Sequence, residues 1–581
     1  MHHLEEMLKS YDEQTAQLLS CQLKEPQHSR RGAFQLRGYY VDTRSSGFGL
    51  AHLLVSYVSP ESRYHLDPAV RQSLEAAFAY LQAYQRPDGC LDLAGCNFAS
   101  PPDTAFTMNA VLNGWWLLEK HAEPETQWLR APLIRLLESC AEGIAAGGFH
   151  TPNHRWAICA CLKSVAKITG REEFSRRADE YLNEGLDINS DGEFAERSAG
   201  NYNQVNDDQM IRLYLATGDK RFLEAAEMNL RMMLKYIDPD DSVFTNNSTR
   251  QDYGRKVYLD TYYILFKLVG YLLGKKELAA YGEYCYATSR RHGRQPNGVE
   301  WLLLYNDLDD FGADEPVDAA AFTQYDYHFK ESRIARMRQG NLSCTVMDGK
   351  ANFLYFQNGS MPVYMVIYEN LCDKRNFIAD KLEKTERGYR LSFHQDSWYY
   401  LPFYPDKPET SDWWAMDNPN TRKRCQGVAL DTYVDVEMAG DGVDVTIHTE
   451  GLDWLPLRVE LGFPGGSQLR HESFLMEGKA GESMLLAKGP LEVTAPSGER
   501  MVLSTGFAEH SALGRSDRAY PQSPEHFTVY LTAYTPVNKK IHIGANGCFD
   551  PDLLSASKNQ KEALNRERWS ERPAREEEKR A

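Results

Sequence analysis

Five residues suited to binding and acid–base chemistry recur along the first half of the chain at nearly constant spacing. Asp103, Asn153, Tyr202 and Arg250 lie 50, 49 and 48 residues apart, and Trp301 follows 51 residues later. Each lies in a segment that leads into or begins a helical pattern, so repeated helical hairpins would gather them at one end of a ring. An amide, a phenol and a guanidinium could together hold an anion and move a proton. The spacing therefore predicts a single cleft.

The motifs around the first two positions also allow a simpler interpretation. Asp103, in SPPDTAF, directly precedes a helical run, where a side-chain acceptor caps the helix. Thr151 and Pro152 begin another helix, whose open end presents Asn153 and His154 as a hydrogen-bond donor and a titratable group. Capping explains Asp103 without any site, and both interpretations stay open for Asn153 and His154.

Two polar loops supply the other candidates. The segment 191–211 carries a dense polar set that includes Glu196, Asn201, Tyr202, Asn203 and Asp207. The segment 245–263 carries Arg250, Gln251 and Arg255. Loops on rigid scaffolds commonly carry sites, and the two arginines provide local positive charge for an acidic ligand. The alternative is a pair of solvated loops whose cations pair with nearby carboxylates.

Helices must position these groups. Up to about residue 300, apolar residues recur at three- and four-residue spacing in about eleven segments. Gly170, Gly218 and Gly274, 48 and 56 residues apart, each end one helical pattern before the next begins. Because about six stacked hairpins commonly close into a ring, we expect an N-terminal (α/α)6-type toroid over residues 1–315.

The hydrophobic pattern of the sequence changes after an expected linker at 316–329. Short alternating runs of β-branched and aromatic residues, separated by NG, DG and PGG turns, predict an antiparallel β-sandwich over 330–550. The fold class is therefore an α+β multidomain protein, closed by a charged tail at 551–581. Within the sandwich, the aromatic stretch 393–417 is expected to be irregular and to lie over the toroid mouth, where His394 would bind substrate.

Composition narrows the range of partners. The chain has 65 basic and 82 acidic residues and a formal charge of −17, so we expect neither nucleic acid nor a membrane as a partner. Its start lacks the layout of a secretory signal, which favours a cytoplasmic protein. The eleven cysteines lack zinc-ligand spacing and the acidic run at 306–315 lacks the ligand order of a calcium loop, so no metal or cofactor is expected. The oligomeric state stays open, a homo-oligomer included.

In its order of domains and in two motifs, the chain resembles the heparinase II/III-like polysaccharide lyases and related α/α-toroid glycosidases. Members of that family open one toroid helix with an Asn-His pair, as Asn153 and His154 do here. They also carry a segment of the form D-G-x-F-x-E-R-S-x-x-Y-H, which here reads DGEFAERSAGNYN at 191–203. This chain has one extra residue before Tyr202, and Asn203 stands where histidine is usual.

The resemblance implies β-elimination on oligo- or polysaccharides that contain uronic acid. Tyr202 would act as base and then acid, while Asn153, His154 and Arg250 hold the carboxylate. One alternative is a glycoside hydrolase of the glucuronidase or unsaturated-glucuronyl hydrolase type, with Asp103 and either Glu196 or Asp207 as its two carboxyl groups. A second alternative is a non-catalytic carbohydrate-binding protein, in which aromatic rings such as Trp301 would bind sugar faces.

Overall fold

The structure is a computed structural model that describes residues 3–35, 41–403, 409–416 and 422–545. The chain divides into two compact units. The first comprises Met1–Ile237 and Asp241–Ala319, and the second comprises Asp238–Asp240 and Ala320–Ala581. The expected charged tail at 551–581 lies outside the described residues.

Five consecutive helical hairpins form most of the described part of the first unit. Their first helices are α2 (Thr43–Val58), α4 (Pro101–Lys120), α6 (Pro152–Thr169), α8 (Tyr202–Thr217) and α10 (Tyr262–Leu273). Their second helices are α3 (Pro68–Tyr84), α5 (Arg130–Ala146), α7 (Glu172–Leu182), α9 (Lys220–Leu234) and α11 (Lys276–Arg291). Each first helix contacts the next first helix, so the five lie side by side with their N termini at one end of the unit.

Two further helices stand where a sixth hairpin would be. They are α1 (Leu4–Cys21) and the short α12 (Val299–Leu304), which contact each other. On α1, Glu6 accepts a hydrogen bond from Tyr286 of α11 at 2.7 Å, and Thr15 is hydrogen-bonded to Ser56 of α2 at 2.7 Å. The start of the chain therefore joins the last hairpin to the first.

The expected ends of three helices at glycine residues are confirmed. Gly170, Gly218 and Gly274 directly follow α6, α8 and α10 with φ values of 72°, 75° and 70°, in the left-handed region that glycine adopts without strain. Asp309, within the acidic run at 306–315, accepts a backbone hydrogen bond from Leu4 and so caps α1. In the part of the chain that the structure describes, no cluster of metal-binding side chains is found.

The second unit is a sandwich of two sheets, with strands numbered in chain order. The order in the first sheet is β15 (Ser483–Leu485), β18 (His526–Tyr534), β12 (Pro456–Pro464), β7 (Met361–Glu369), β6 (Leu354–Asn358), β5 (Leu342–Met347), β4 (Ile334–Gln339) and β3 (Gln324–Phe329). The order in the second sheet is β14 (Phe474–Gly478), β13 (Ser467–His471), β16 (Leu491–Thr494), β17 (Arg500–Leu503), β19 (Asn538–Gly544), β11 (Gly442–Gly451), β10 (Arg424–Ala439), β9 (Tyr389–Tyr400) and β8 (Lys381–Lys384). Apolar side chains from both sheets form one core.

The short remaining elements are a ribbon of β1 (Leu91–Leu93) and β2 (Asn97–Ser100), a 3₁₀ turn at Pro124–Leu129, and the helices α13 (Ala320–Thr323) and α14 (Trp413–Met416). Neighbouring strands are antiparallel except for β15 and β18, which run parallel. No helix among the described residues is long and apolar enough to cross a membrane.

Two expectations about the second unit need correction. The expected linker at 316–329 contains α13 and β3, because the alternating run QYDYHF pairs along its whole length with β4. The stretch 393–417 is regular in part: its first residues complete β9, which pairs with β10 around an irregularity between Gln426 and Ala429, and Trp413–Met416 forms α14, while 404–408 and 417 lie outside the described residues. Aromatic residues are common in strands, and here they extend a hairpin.

Candidate active site

The first turns of α6 and α8 and the loops before α8 and α10 bring four predicted residues into a chain of contacts. Asn153 Nδ2 donates a hydrogen bond to Glu196 Oε1 at 2.6 Å. The same carboxylate oxygen lies 3.5 Å from Arg250 Nε. The Arg250 guanidinium in turn lies 4.8 Å from the centre of the Tyr202 ring. We call Asn153, Glu196, Tyr202 and Arg250 the site cluster.

The phenol and the cation of this cluster are accessible, whereas the amide and the carboxyl are buried. Tyr202 and Arg250 are half-buried, and Asn153 and Glu196 are 1% and 4% exposed. Burial raises the pKa of Glu196, although the hydrogen bonds from Asn153 and the charge of Arg250 act in the opposite direction. The Arg250 guanidinium lies against the Tyr202 ring, so a positive charge stands next to the phenol.

His154 lies beside the site cluster and is half-buried. Burial lowers the pKa of its imidazole, while the negative charge of Asp103 partly opposes this shift. Its ring packs edge-on against Phe106, with 6.0 Å between ring centres. A neutral imidazole has one donor and one acceptor nitrogen, so His154 can orient a hydroxyl or pass on a proton.

Asp252, which the sequence did not single out, joins the two loops that carry the site. It accepts hydrogen bonds from Ser198 Oγ at 2.7 Å, Ser248 Oγ at 2.6 Å and the Gly200 backbone N–H at 2.9 Å. Ser198 Oγ also accepts the backbone N–H of Tyr202 at 3.0 Å. The sequence signal was weak, since it was only an aspartate in a serine-containing loop, but its contacts place the first residue of α8.

Gly200, part of the longer spacing before Tyr202, permits this close approach of the loops. A Cβ atom at Gly200 would lie 2.9 Å from a methyl group of Thr245 and 3.0 Å from Asp252 Oδ2. Only a residue without a side chain fits there without displacing the second loop. Deeper in the same region, buried Glu193 accepts hydrogen bonds from Asn247 at 2.9 Å and Tyr236 at 3.2 Å, which adds a second contact between the loops.

Asp103 does not cap its helix as expected. Ser100 is the N-cap of α4, and its Oγ accepts the backbone N–H of Asp103 at 3.2 Å. Two prolines follow Ser100, so the helix begins at Pro101, two residues before Asp103. The buried Asp103 carboxylate instead pairs with Arg44 at 2.9 Å and accepts a hydrogen bond from Asn97 at 2.8 Å.

Two candidates of the first polar loop lie in the interior. Asn203 is fully buried, and its Nδ2 contacts Met233 Sδ of α9 at 3.6 Å. Asp207 is also fully buried, and burial, with a further contribution from Asp208, raises its pKa well above the usual range. Because successive helical residues are rotated by about 100°, neither shares the face of Tyr202. The structure therefore does not bring Asn203 and Asp207 to the accessible part of the site.

Three other candidates lie close to the site cluster in the chain. Asn201, half-buried, directly precedes α8, and Gln251 and Arg255 are exposed in the loop that carries Arg250. They lie one to five residues from Tyr202 or Arg250 in the chain. Their contact with substrate stays a prediction.

Trp301 is not brought to this end of the helices. It is buried on α12, 5.0 Å from the guanidinium of Arg212, and lines a cavity of about 330 Å³ together with Lys120 and Lys167 from the last turns of α4 and α6. Arg212 lies ten residues into α8, about 15 Å along the axis from Tyr202. Equal spacing in sequence failed here because α12 does not continue the hairpin repeat.

His394 belongs to the second unit, on β9. Its side chain is 56% exposed and hydrogen-bonded through Nδ1 to Asp431 at 2.7 Å, and this contact raises the pKa of the imidazole. Its expected place over the toroid mouth stays a prediction.

Comparison with known structures identifies the fold. Paenibacillus xanthan lyase matches with a TM-score of 0.55 and 10% identity over 95% of this chain, which spans 58% of that enzyme. Heparinase III matches with a TM-score of 0.53 and 8% identity, covering 92% of this chain and 83% of that one. Chondroitin AC lyase from Streptomyces coelicolor A3 matches with a TM-score of 0.50 and 11% identity, covering 95% and 81%.

No protein-family model and no curated protein matches the sequence. The predicted fold class is confirmed: the chain has the toroid-plus-β-sheet fold of these polysaccharide lyases. The resemblance to the heparinase-like lyase superfamily is thereby confirmed at the level of the fold.

Proposed function

We propose that this protein is a lyase that cleaves oligosaccharides containing uronic acid by β-elimination. The observation that carries the proposal is the site cluster, in which a phenol, a guanidinium and an amide from three separate segments converge. A set of this kind provides a base, a positive charge and a polar group near the substrate carboxylate. The lyases that share the fold support the reaction class.

In this reaction Tyr202 removes the proton at C5 of the uronate. The electron pair forms the C4–C5 double bond, the C4–O bond breaks, and the leaving oxygen takes a proton from the same phenol. Arg250 stabilises the negative charge that develops on the substrate carboxylate, and Asn153 contributes a neutral hydrogen-bonding group. His154 orients the sugar or shares the proton transfer.

A hydrolase has less support from the arrangement of the carboxyl groups. Both oxygens of Asp207 are buried, and Asp103 is engaged by Arg44. Hydrolysis needs two carboxyl groups on either side of an accessible bond. A non-catalytic binding protein would not require a phenol and a cation in contact at helix N termini.

The proposed substrate is a short uronide. A formal charge of −17 repels a long, highly sulfated polymer, whereas a short oligosaccharide feels mainly the pocket within about 8–10 Å of the site. A cytoplasmic address, which we also propose, is consistent with short oligosaccharides as substrates.

Product analysis tests the proposed reaction. Purified protein is incubated with a panel of uronic-acid oligosaccharides, while ultraviolet absorbance and product mass are followed. Elimination yields an absorbing unsaturated product without the addition of water. Products heavier by one water and without new absorbance would show hydrolysis and refute the proposal, and tight binding without turnover of any uronide would favour the binding protein.

A further inference from the structure

The amide of Asn153 is oriented the wrong way for a substrate carboxylate. Its Nδ2 donates to Glu196 Oε1 at 2.6 Å and to Thr151 Oγ1 at 3.0 Å, which uses both N–H groups. Its Oδ1 is buried and has no hydrogen-bond partner among the residues that the structure describes. Asn153 therefore has an unused acceptor in the interior, whereas a carboxylate needs a donor.

Glu196 is the group that holds the amide in this orientation. Besides the bond to Asn153 Nδ2, its Oε2 accepts the Asn153 backbone N–H at 3.2 Å. The charged groups that face it are Arg250, 3.5 Å away, and the buried carboxyl of Asp187, which adds negative charge. Asp187 in turn lies 3.8 Å from Arg155, so a substrate carboxylate beside an ionised Glu196 would be the second negative group at the Arg250 cation.

We propose that Glu196 takes up a proton from solvent when a uronate carboxylate binds, and that this proton allows the Asn153 amide to turn over. The neutral Glu196 carboxyl then donates its O–H to Asn153 Oδ1. Asn153 Nδ2 is released to donate to the substrate carboxylate, and Thr151 Oγ1 can reverse its role by donating to Oδ1. The proton returns to solvent when the product leaves.

This inference rests on the proposed function, because it assumes that a uronate occupies the site. Glu196 is a positioning residue, since it acts on the substrate through Asn153. Two like charges in one buried site cannot both stay ionised without a large cost, and that cost drives the proton uptake. Substrate binding should therefore weaken at high pH even though the substrate itself stays ionised.

Calorimetry with D-glucuronate, which has no bond to eliminate, measures the coupling directly. Binding is recorded at a series of pH values, at each in buffers of different ionisation enthalpy, and the difference gives the protons taken up, which are compared at the maximum of the series. We expect uptake approaching one proton for the wild type and close to zero for Glu196→Gln, because the glutamine amide can donate to Asn153 Oδ1 without titrating. The matched control is Glu173→Gln, an exposed residue paired with Arg171 at 2.7 Å, which should match the wild type.

Kinetics with an oligosaccharide provides the second measurement. Between the pKa of Glu196 in the free protein and its higher pKa in the complex, KM of the wild type should rise by about tenfold per pH unit while kcat changes little, and KM of Glu196→Gln should stay level. Equal proton uptake and equal KM profiles in the two proteins would refute the role of Glu196. If Glu196→Gln does not fold, zero proton uptake by the wild type refutes it.

The two proposals fail separately. Elimination without proton uptake would overturn the role of Glu196 and leave the lyase intact. Proton-coupled glucuronate binding without elimination of any uronide would refute the proposed lyase activity and support the proposed role of Glu196 in binding. Absence of glucuronate binding together with absence of turnover would overturn both.

Discussion

Two buried carboxyl groups, one in each unit, differ in their neighbours. Glu196 of the toroid lies beside a cation and a rotatable amide that continue to an accessible phenol. Glu369 of the sandwich is fully buried on β7 and accepts hydrogen bonds from Gln395 at 2.6 Å and Thr432 at 2.9 Å. Burial raises the pKa of Glu369 to about 8, with both hydrogen bonds acting in the opposite direction. Only the toroid carboxyl is connected to groups that can meet a substrate.

Other buried polar groups show the same contrast. In the described part of the toroid, neither Asn206 nor Asp207 has a hydrogen-bond partner for its side chain. In the sandwich, buried Arg458 is held by Glu460 at 2.7 Å and by a backbone carbonyl at 3.1 Å. Buried groups without partners are costly, and they commonly mark functional regions. In these two pairs of groups, the contrast agrees with the proposed site in the toroid.

The largest effect is expected from removal of the phenol. Tyr202→Phe should lower the elimination rate by about 10²–10⁴-fold, because the proton at C5 loses its acceptor, and thermal stability should change little. Initial rates from ultraviolet absorbance measure this. Tyr433→Phe, on β10 of the sandwich, is the control and should keep full activity. Substantial elimination by Tyr202→Phe would refute the assignment.

The second effect concerns the link between the two loops. Asp252→Ala leaves the donors of Ser198, Ser248 and Gly200 without their acceptor, so kcat/KM should fall by about tenfold or more and the free energy of unfolding by roughly 2–3 kcal/mol. Steady-state kinetics and urea unfolding give the two values. Asp435→Ala, which removes the partner of Arg390 in the sandwich, should leave kcat/KM unchanged. Wild-type kinetics in Asp252→Ala would show that the two loops keep their positions without the Asp252 hydrogen bonds.

The third effect is on stability alone. The pKa of Glu369 is higher in the folded than in the unfolded state, so its contribution is most favourable below about pH 4.5 and is lost as the pH rises towards about 8. The loss is at most about 1.4 kcal/mol per pH unit across this window. Glu369→Gln should therefore raise the free energy of unfolding near pH 8 relative to the wild type, with no effect on kcat.

Urea unfolding at several pH values tests this prediction. Glu477→Gln, at an exposed position of β14, serves as the control and should follow the wild-type pH dependence. A pH dependence for Glu369→Gln identical to that of the wild type would mean that Glu369 is ionised in the folded protein.

The smallest effect is expected at Asn203, which stands where the motif of the resembled lyase family has histidine. Because its amide packs against Met233 in the interior, Asn203→Ala should change kcat/KM by less than about threefold and lower the free energy of unfolding by about 1 kcal/mol. Parallel kinetics and melting curves measure both. A selective rise in KM without loss of stability would contradict this interior role and indicate that Asn203 contacts the substrate.

Much of the fold was readable from local patterns. Gly170, Gly218 and Gly274 ended helices as expected, because a left-handed residue after a helix is a local preference of glycine. The cap of α4 was misassigned to Asp103, since a serine followed by two prolines begins the helix earlier. The linker was misassigned because the alternation of β3 is short and follows an acidic run.

The site was only partly predictable. Spacing near 49 residues brought Asn153, Tyr202 and Arg250 together because the hairpin repeat holds through that region, and it failed for Trp301, where the repeat ends. Tyr202 lies on the side of α8 that faces the site cluster, whereas Asn203 and Asp207 point into the interior. The polar pattern of the loop did not reveal this difference in direction.

The sequence by itself determined the classes of structure, because a periodicity of three to four residues predicts helices and a periodicity of two predicts strands. It also determined the residue types available to the proposed site. Tertiary structure alone decided which of these groups are buried, which are paired, and that Asp252 joins the two loops. The physical reason is that periodicity and capping act between chain neighbours, whereas burial and pairing depend on residues about 40–50 positions apart, as for Asn153 and Glu196, whose contact exists only once the hairpins are stacked.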